Sequence, residues 1–272
     1  MSAFLGITRE HVFSPGRVAD DSAILHLVAD ELRRQGHTVD VVAGDAAHWP
    51  EPAADTVVFA MCQGAPALER MQRWTTRGVR VINSPEGILN CQRHRTVPAL
   101  LQARTPFPES VLVETAAEAL LPAWIADGGA WVKRGDVHAT ESDDVVFVDS
   151  PDAARAALRR FHARHIDRAV LQRHVPGTVL KFYAVRGRFF HCVRPPGGDA
   201  LTPEMLRRID ALGQEAAQVL NVEVYGGDCV YGVNGTLSLI DLNDWPSYAP
   251  CRSEAAGEIA GYLLALPTAR DR

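Results

Sequence analysis

The sequence predicts a mixed α/β (α+β) protein, with a small parallel-sheet α/β domain first and antiparallel pairs of strands, with helices, after it. Two observations carry this. Up to Asn83, short β-type runs alternate with helical patterns, as in the βαβ units that build parallel sheets. Beyond Pro106 and Pro108 the strands come in pairs, one of them joined only by Arg186-Gly187, the turn of a hairpin.

In chain order, "AFLGI" (3–7) is the first strand. After Asp20, the residues Ile24, Leu27, Val28 and Leu32 recur at helical spacing until Gly36 ends the helix. "TVDVV" (38–42), "TVVFAM" (56–61) and "VRVIN" (79–83) complete the parallel sheet. No G-x-G-x-x-G is present, so this sheet need not bind a dinucleotide. In "NSPEGILNCQRHRTVPALLQARTPFPES" (83–110), Ser84 reads as an N-cap with Pro85 at N1 and Glu86 at N2. Gly87 holds the N3 place, so no capping box closes, and a second helix ends near Gln102. "SVLVE" (110–114), "AWVKR" (130–134) and "DVVFV" (144–148) are strands, and "SPDAARAALRRFHARH" (150–165) is a capped helix. The hairpin "TVLKFYAVRGRFFHCVR" (178–194), a helix (203–220), two strands around Asp228 and Asp241, and a closing helix (253–265) complete the chain.

Composition limits the function classes. The 272 residues suffice for one to three domains, and 47% hydrophobic with 22% charged residues is the make-up of a soluble globular protein. The net charge of −5 provides no overall positive field for nucleic acid or an anionic membrane, so neither partner is expected. Arg9 and Glu10 interrupt the start before a signal-peptide core develops, and no run reaches membrane length, which predicts a cytoplasmic location. The five cysteines are odd in number and scattered, which reads as buried free thiols. The ten histidines do not cluster, and neither G-x-S-x-G nor a P-loop occurs.

The chemistry concentrates in "LSLIDLNDWPSY" (237–248), where an apolar strand ends in acids. Alternation puts Asp241 and Asn243 on one face and Leu242 on the other. A turn at "GVNG" (232–235) lays the strand carrying Asp228 antiparallel to it. Two carboxylates and an amide oxygen at one spot suit a hard cation such as Mg²⁺ with phosphates completing its shell. The competing reading is that these are strand-end polar residues capping a hairpin. Lys133 shares a strand face with Trp131, and Lys181 with Val179 and Tyr183. Lysines among bulky apolar neighbours are rarely left unpaired, and with Arg194 they describe a clamp for a triphosphate; snorkelling at a sheet edge is the alternative. Arg9, Ser14 and Arg17 lie in "REHVFSPGRVADD" (9–21), a strand-to-helix loop that either contacts ligand or merely connects. Arg252 either binds an acidic acceptor or faces solvent at a helix start, while Trp245 and Pro246 read as structural.

With these residues in view, about 89 to 266 resembles the ATP-grasp superfamily. "AWVKR" resembles its strand with the phosphate-gripping lysine, which implies Lys133 on the α/β-phosphates. "VLQRHVPG" resembles the hinge that meets adenine, implying Gln172, His174 and Val175 near the base. "GGDCVYGVNGTLSLIDLNDWPSY" resembles the paired metal strands, implying Asp228, Asp241 and Asn243 as Mg²⁺ ligands. The resemblance implies two α+β lobes, 106–172 and 173–266, after an α/β domain at 1–88 that contributes to the acceptor site, with 267–272 as a tail.

The sequence also departs from the family pattern. "RGDVHATESDD" has only Gly135 and His138 where a glycine-rich loop is usual, and within "NCQRHRT" Arg93 or Arg95 stands in for a phosphate-binding lysine. Asp241 stands where many ligases of the superfamily have Glu. The resemblance implies ATP and Mg²⁺ as cofactors, Lys181 on phosphate and Arg194 neutralising the transferring phosphoryl. It also implies a small-molecule acceptor and admits a homo-oligomer. A carboxylate acceptor makes the enzyme a ligase, through an acyl phosphate taken by an amine or thiol. A hydroxyl acceptor makes it a kinase, and "GTVLKFYAVRGRFF" with "LIDLNDWPSY" also resembles inositol-phosphate kinases, although a charge of −5 shows no cationic excess for such a substrate. Nucleotide binding without turnover is the third reading.

Overall fold

The computed structural model describes residues 2–14, 18–116, 120–137, 141–194, 197 and 200–266. Three four-stranded sheets make up its framework. The first is parallel, in the order β2-β1-β3-β4, built from β1 (Ala3–Ile7), β2 (Thr38–Val42), β3 (Val57–Ala60) and β4 (Arg80–Ile82). β1, β3 and β4 are buried on both faces, as parallel strands are when helices cover both sides, whereas the edge strand β2 exposes Thr38 and Asp40. Phe4 and Phe59 pack under α1 (Val18–Arg34), whereas Leu5 and Val58 pack under α2 (Ala65–Thr76). The buried carboxylate of Glu10 accepts from the backbone N–H groups of Gln63 and Gly64, the two residues that lead into α2.

Two short helices follow, α3 (Pro85–Asn90) and α4 (Arg93–Gln102). Ser84 Oγ accepts from Gly87 N at 3.0 Å, the N-cap expected from the sequence. Gly87 has a packing reason to be glycine, since a Cβ there would lie 2.2 Å from the carbonyl oxygen of Asn221. The neighbouring Asn83 is fully buried; its Oδ1 accepts from the N–H groups of Glu223 and Val224, and its Nδ2 donates to Val224 O at 2.7 Å.

The second sheet is antiparallel, in the order β5-β8-β6-β7, and contains β5 (Ser110–Glu114), β6 (Ala130–Arg134), β7 (Val145–Val148) and β8 (Arg168–Arg173). Helix α5 (Pro151–Ala163), capped by Ser150, covers one of its faces. Strand β8 had no place among the strands expected from sequence. It is an interior strand buried on both faces from Ala169 to Gln172, so it lacks the period-two signal that half-buried strands display.

The third sheet, β10-β9-β11-β12, is also antiparallel. It comprises β9 (Thr178–Val185), β10 (Phe189–Val193), β11 (Val224–Tyr231) and β12 (Leu237–Asp244). Gly187, at φ 68°, forms the hairpin turn between β9 and β10. Leu180, Phe182, Leu239 and Leu242 face α6 (Pro203–Leu220), while Tyr183, Val185 and Val224 share a core with α7 (Arg252–Leu264), α1 and the first sheet. Expected element ends shift by one or two residues, as at α1, β3, β4, β7 and α7. All five cysteines are free, and all but the half-buried Cys192 are buried, as expected of the set. No helix of the described residues is long and apolar enough to cross a membrane.

Candidate active site

A cavity of about 580 Å³ opens where the second and third sheets face each other, with Arg9 and Gln63, from loops beside the first sheet, at one end. The register of the third sheet builds its floor: Lys181 on β9 lies opposite Asp228 on β11, which lies opposite Asp241 on β12. One cation and two carboxylates therefore form a row across three strands. A parallel row holds Tyr183, Gly226 and Asn243. Glycine suits its middle place, because a Cβ on Gly226 would lie 2.8 Å from Phe182 O and 2.9 Å from Pro246 Cγ.

A β-bulge completes the floor. Asp228 pairs with Asp241 and Cys229 with Leu239, so Ile240 is the extra residue. The bulge lets Leu239 and Leu242, three apart in sequence, both face the core under α6. Ile240 O accepts from Lys133 Nζ at 2.8 Å, which ties β6 of the second sheet to the floor.

Lys133 is only 5% exposed, and burial pushes its ammonium down to about 8, with Asp241 opposing the shift and Arg93 adding to it. Arg93, in the first turn of α4, donates to Asp241 Oδ2 at 2.6 Å and to the carbonyls of Arg134 and Val137. Burial alone would raise the Asp241 carboxyl, but Arg93 and then Lys133 hold it below its ordinary value. Lys181 Nζ sits 2.8 Å from Asp228 Oδ1; burial works to lower its ammonium, yet Asp228 holds it above its usual value. Three cations thus surround two carboxylates, leaving this end of the cavity with affinity for anions. Among the described residues no group of three His, Cys, Asp or Glu side chains is placed to hold a metal. Asp228 and Asp241 instead offer two carboxylates, with the amide of Asn243 beside them, a donor set that fits Mg²⁺ when phosphate oxygens fill the remaining positions. Trp131, Val145 and Val179 form an apolar wall, with Trp131 braced by Phe147 and by His174, whose Nδ1 accepts from Trp131 Nε1.

No protein-family model and no curated protein sequence matches the chain. Solved structures do. The crystal structure of a RimK domain protein ATP-grasp from Sphaerobacter thermophilus superposes with a TM-score of 0.69 at 20% identity, covering 96% of this chain and 100% of that one. The D-alanine-D-alanine ligase of Coxiella burnetii gives 0.75 at 12% identity over 100% and 96%. The D-alanine--D-alanine ligase of Bacillus anthracis, complexed with ATP, gives 0.72 at 11% identity over 97% and 95%. The chain has the ATP-grasp fold. At these identities the likeness establishes architecture, and the site must be argued from the chain's own residues.

Within this ATP-grasp fold the expected residues divide into those that reach the cavity and those that do not. Lys133, Lys181, Asp228, Asp241, Asn243, Arg93 and Arg9 line it. Arg95 is exposed on the far side of α4, so of the two candidate arginines only Arg93 reaches the site. Arg194 is exposed just past β10 and lies outside the lining. Gln172 is buried in β8, and His174 and Val175 follow that strand, also outside the lining. Ser14 donates to Asp21 Oδ2 at 2.6 Å, and Arg252 donates to the carbonyls of Ser247 and Asp20; neither lies in the cavity lining. Arg17 and His138 lie outside the described residues. Trp245 is fully buried, as expected, whereas Pro246 lines the cavity.

Sequence reasoning missed Gln63 and Asp244. Gln63 Nε2 donates to Asp244 Oδ1 at 3.0 Å across the junction of the first domain and β12. No local pattern announces a pair so far apart in the chain. Burial pushes the Asp244 carboxyl up to about 6, with Arg9 opposing the shift.

Proposed function

We propose that the chain binds MgATP in this cavity and transfers its γ-phosphoryl group to a carboxylate, whose acyl phosphate is then attacked by an amine. The observation that carries this reading is the row Lys181, Asp228, Asp241 faced by Lys133 and Arg93 across the cleft. Cations and acids interleaved at one spot suit a metal-bound polyphosphate, which takes the cations while its metal takes the acids. The neighbours' names, ligases for D-alanine and a RimK domain protein, favour a carboxylate acceptor over a hydroxyl.

Each residue then has a task. Trp131, Val145 and Val179 offer the apolar wall against which a purine can lie. Lys133 gives up its bond to Ile240 O for phosphate oxygens. Lys181 and Arg93, released from their carboxylates, neutralise charge on the transferring phosphoryl, the work expected of Arg194 from sequence. Asp228, Asp241 and Asn243 would hold Mg²⁺, which when bound screens the phosphate charges from the incoming carboxylate. An acceptor carboxylate oxygen forms the new P–O bond, ADP leaves, and the amine displaces phosphate with loss of its proton.

Calorimetry of ATP with and without Mg²⁺ tests the nucleotide site. Mg²⁺-dependent binding should weaken by about 30-fold or more in Lys133→Ala, the cost of one charge-assisted contact. ADP release in the presence of hydroxylamine should yield a hydroxamate from the activated carboxylate. Binding without Mg²⁺ dependence, or phosphoryl transfer to hydroxyl acceptors alone, would overturn the ligase reading.

A further inference from the structure

The cavity is electrically two-ended. At the nucleotide end Lys133, Lys181 and Arg93 outnumber Asp228 and Asp241. At the other end Arg9 and Asp244 line the cavity, and Glu10 and Asp21 lie behind that lining. Much of the Arg9 guanidinium is already committed: Nε donates to Met61 O, Nη2 to Trp245 O, and Nη1 meets Asp21 at 3.5 Å. Glu10 is likewise occupied by the N–H groups of Gln63 and Gly64. Asp244 differs. It is 2% exposed, its Oδ1 is held by Gln63, and its Oδ2 has no hydrogen-bond partner among the described residues. Asp244 lines both the main cavity and a small adjoining pocket shared with Gln63 and Asn243. A buried carboxylate oxygen without a partner is costly, and a site that keeps one gains by receiving a donor from its ligand.

We infer that Asp244, oriented by Gln63, is the anchor for a protonated amine on the acceptor, so that the substrate activated here is an amino acid and not a simple carboxylic acid. This rests on the ligase reading above and adds to it the charge of the acceptor. The acceptor's carboxylate points towards the Lys181 and Asp228 end, where phosphoryl transfer occurs. Its ammonium lies at Asp244, too far from the reaction to take part. A dicarboxylate would place its second anion beside Asp244, and would be repelled.

Matched acceptors provide the test. ADP release would be measured with alanine, lactate and propionate, and with glutamate and glutarate, using both hands of each chiral acid, while MgATP affinity is followed by calorimetry. Amine-bearing acids should stimulate ADP release at least about tenfold more than their hydroxy or deaminated counterparts, because a site built for a charged donor rejects analogues that lack it. Asp244→Asn should raise KM for the amino acid about tenfold or more, with a smaller change in kcat and with MgATP affinity within about twofold. Gln63→Ala, which leaves the carboxylate in place but free to turn, should give a smaller KM effect in the same direction and guards against a folding failure in the first variant. Equal stimulation by lactate or propionate, no stimulation by any amino acid, or an unchanged KM in Asp244→Asn would overturn the inference. If the wild type binds MgATP in those cases, the nucleotide reading survives. If MgATP does not bind at all, both fall.

Discussion

Lys133 shows how burial tunes an ammonium group that lines the cavity. Its folded value near 8 lies below the ordinary 10.5 because burial disfavours the charged form. Phosphate binds only the charged form, so MgATP affinity should be level below pH 8 and fall as pH rises through that value. In Lys133→Arg the fall should vanish, since a guanidinium stays charged. Isotherms between pH 7 and 9.5 would check this, and a pH-independent wild type would argue against Lys133 as a phosphate ligand. For stability without ligand the sign reverses. Between about 8 and 10.5 the unfolded lysine holds a proton that the folded one has lost, so stability should rise with pH in the wild type relative to Lys133→Met. Asp241 makes a second prediction. Its carboxylate is the partner of Arg93, which is itself 5% exposed, so Asp241→Ala leaves a buried cation unpaired. Urea melts should show a loss of about 3–5 kcal/mol, less for the isosteric Asp241→Asn, and neither variant should show Mg²⁺-dependent ATP turnover.

At the level of elements, the bulge at Ile240 separates folding from function. Removing Ile240 leaves Asp228 opposite Asp241 and Cys229 opposite Leu239, a regular ladder that keeps Leu239 in the core. It also removes the carbonyl that holds Lys133. The deletion variant should melt within a few degrees of wild type and bind MgATP more weakly; an unfolded variant would show that the bulge is needed for the fold. Gly87→Ala tests close packing instead. The added methyl would meet the Asn221 backbone, and a forced shift of that kind costs about 1–3 kcal/mol, readable as a lower melting temperature. Most elements were legible in the sequence because their signals are local. Ser84 and Ser150 cap helices, Arg186-Gly187 turns a hairpin, and Asp241 and Asn243 share a face by alternation. Strand β8 was illegible because burial on both faces erased its period, and the bulge was illegible because a ladder irregularity depends on the partner strand.

Across the whole molecule, the unreadable part of the site is the part assembled from distant segments. The row Lys181, Asp228, Asp241 comes from one sheet and could be inferred from strand alternation, whereas Arg9 and Gln63 meet Trp245 and Asp244 only because the first sheet packs on the third. Asn83 is a principal bond in that seating. Its side chain holds the N–H groups of Glu223 and Val224 and the carbonyl of Val224, all at the start of β11. Asn83→Ala strips partners from these buried backbone groups and should cost about 2–4 kcal/mol in a urea melt. The functional consequence is expected to be one-sided. Lys133, Lys181, Arg93, Asp228 and Asp241 all lie outside the first domain, so MgATP affinity should change by less than about threefold, within the scatter of a small indirect effect. The proposed acceptor anchor at Asp244, which Gln63 orients, should loosen, raising acceptor KM several times more than MgATP Kd. Equal losses in both would mean that the first domain also orders the nucleotide end, and that the two ends of the cavity are coupled through the third sheet.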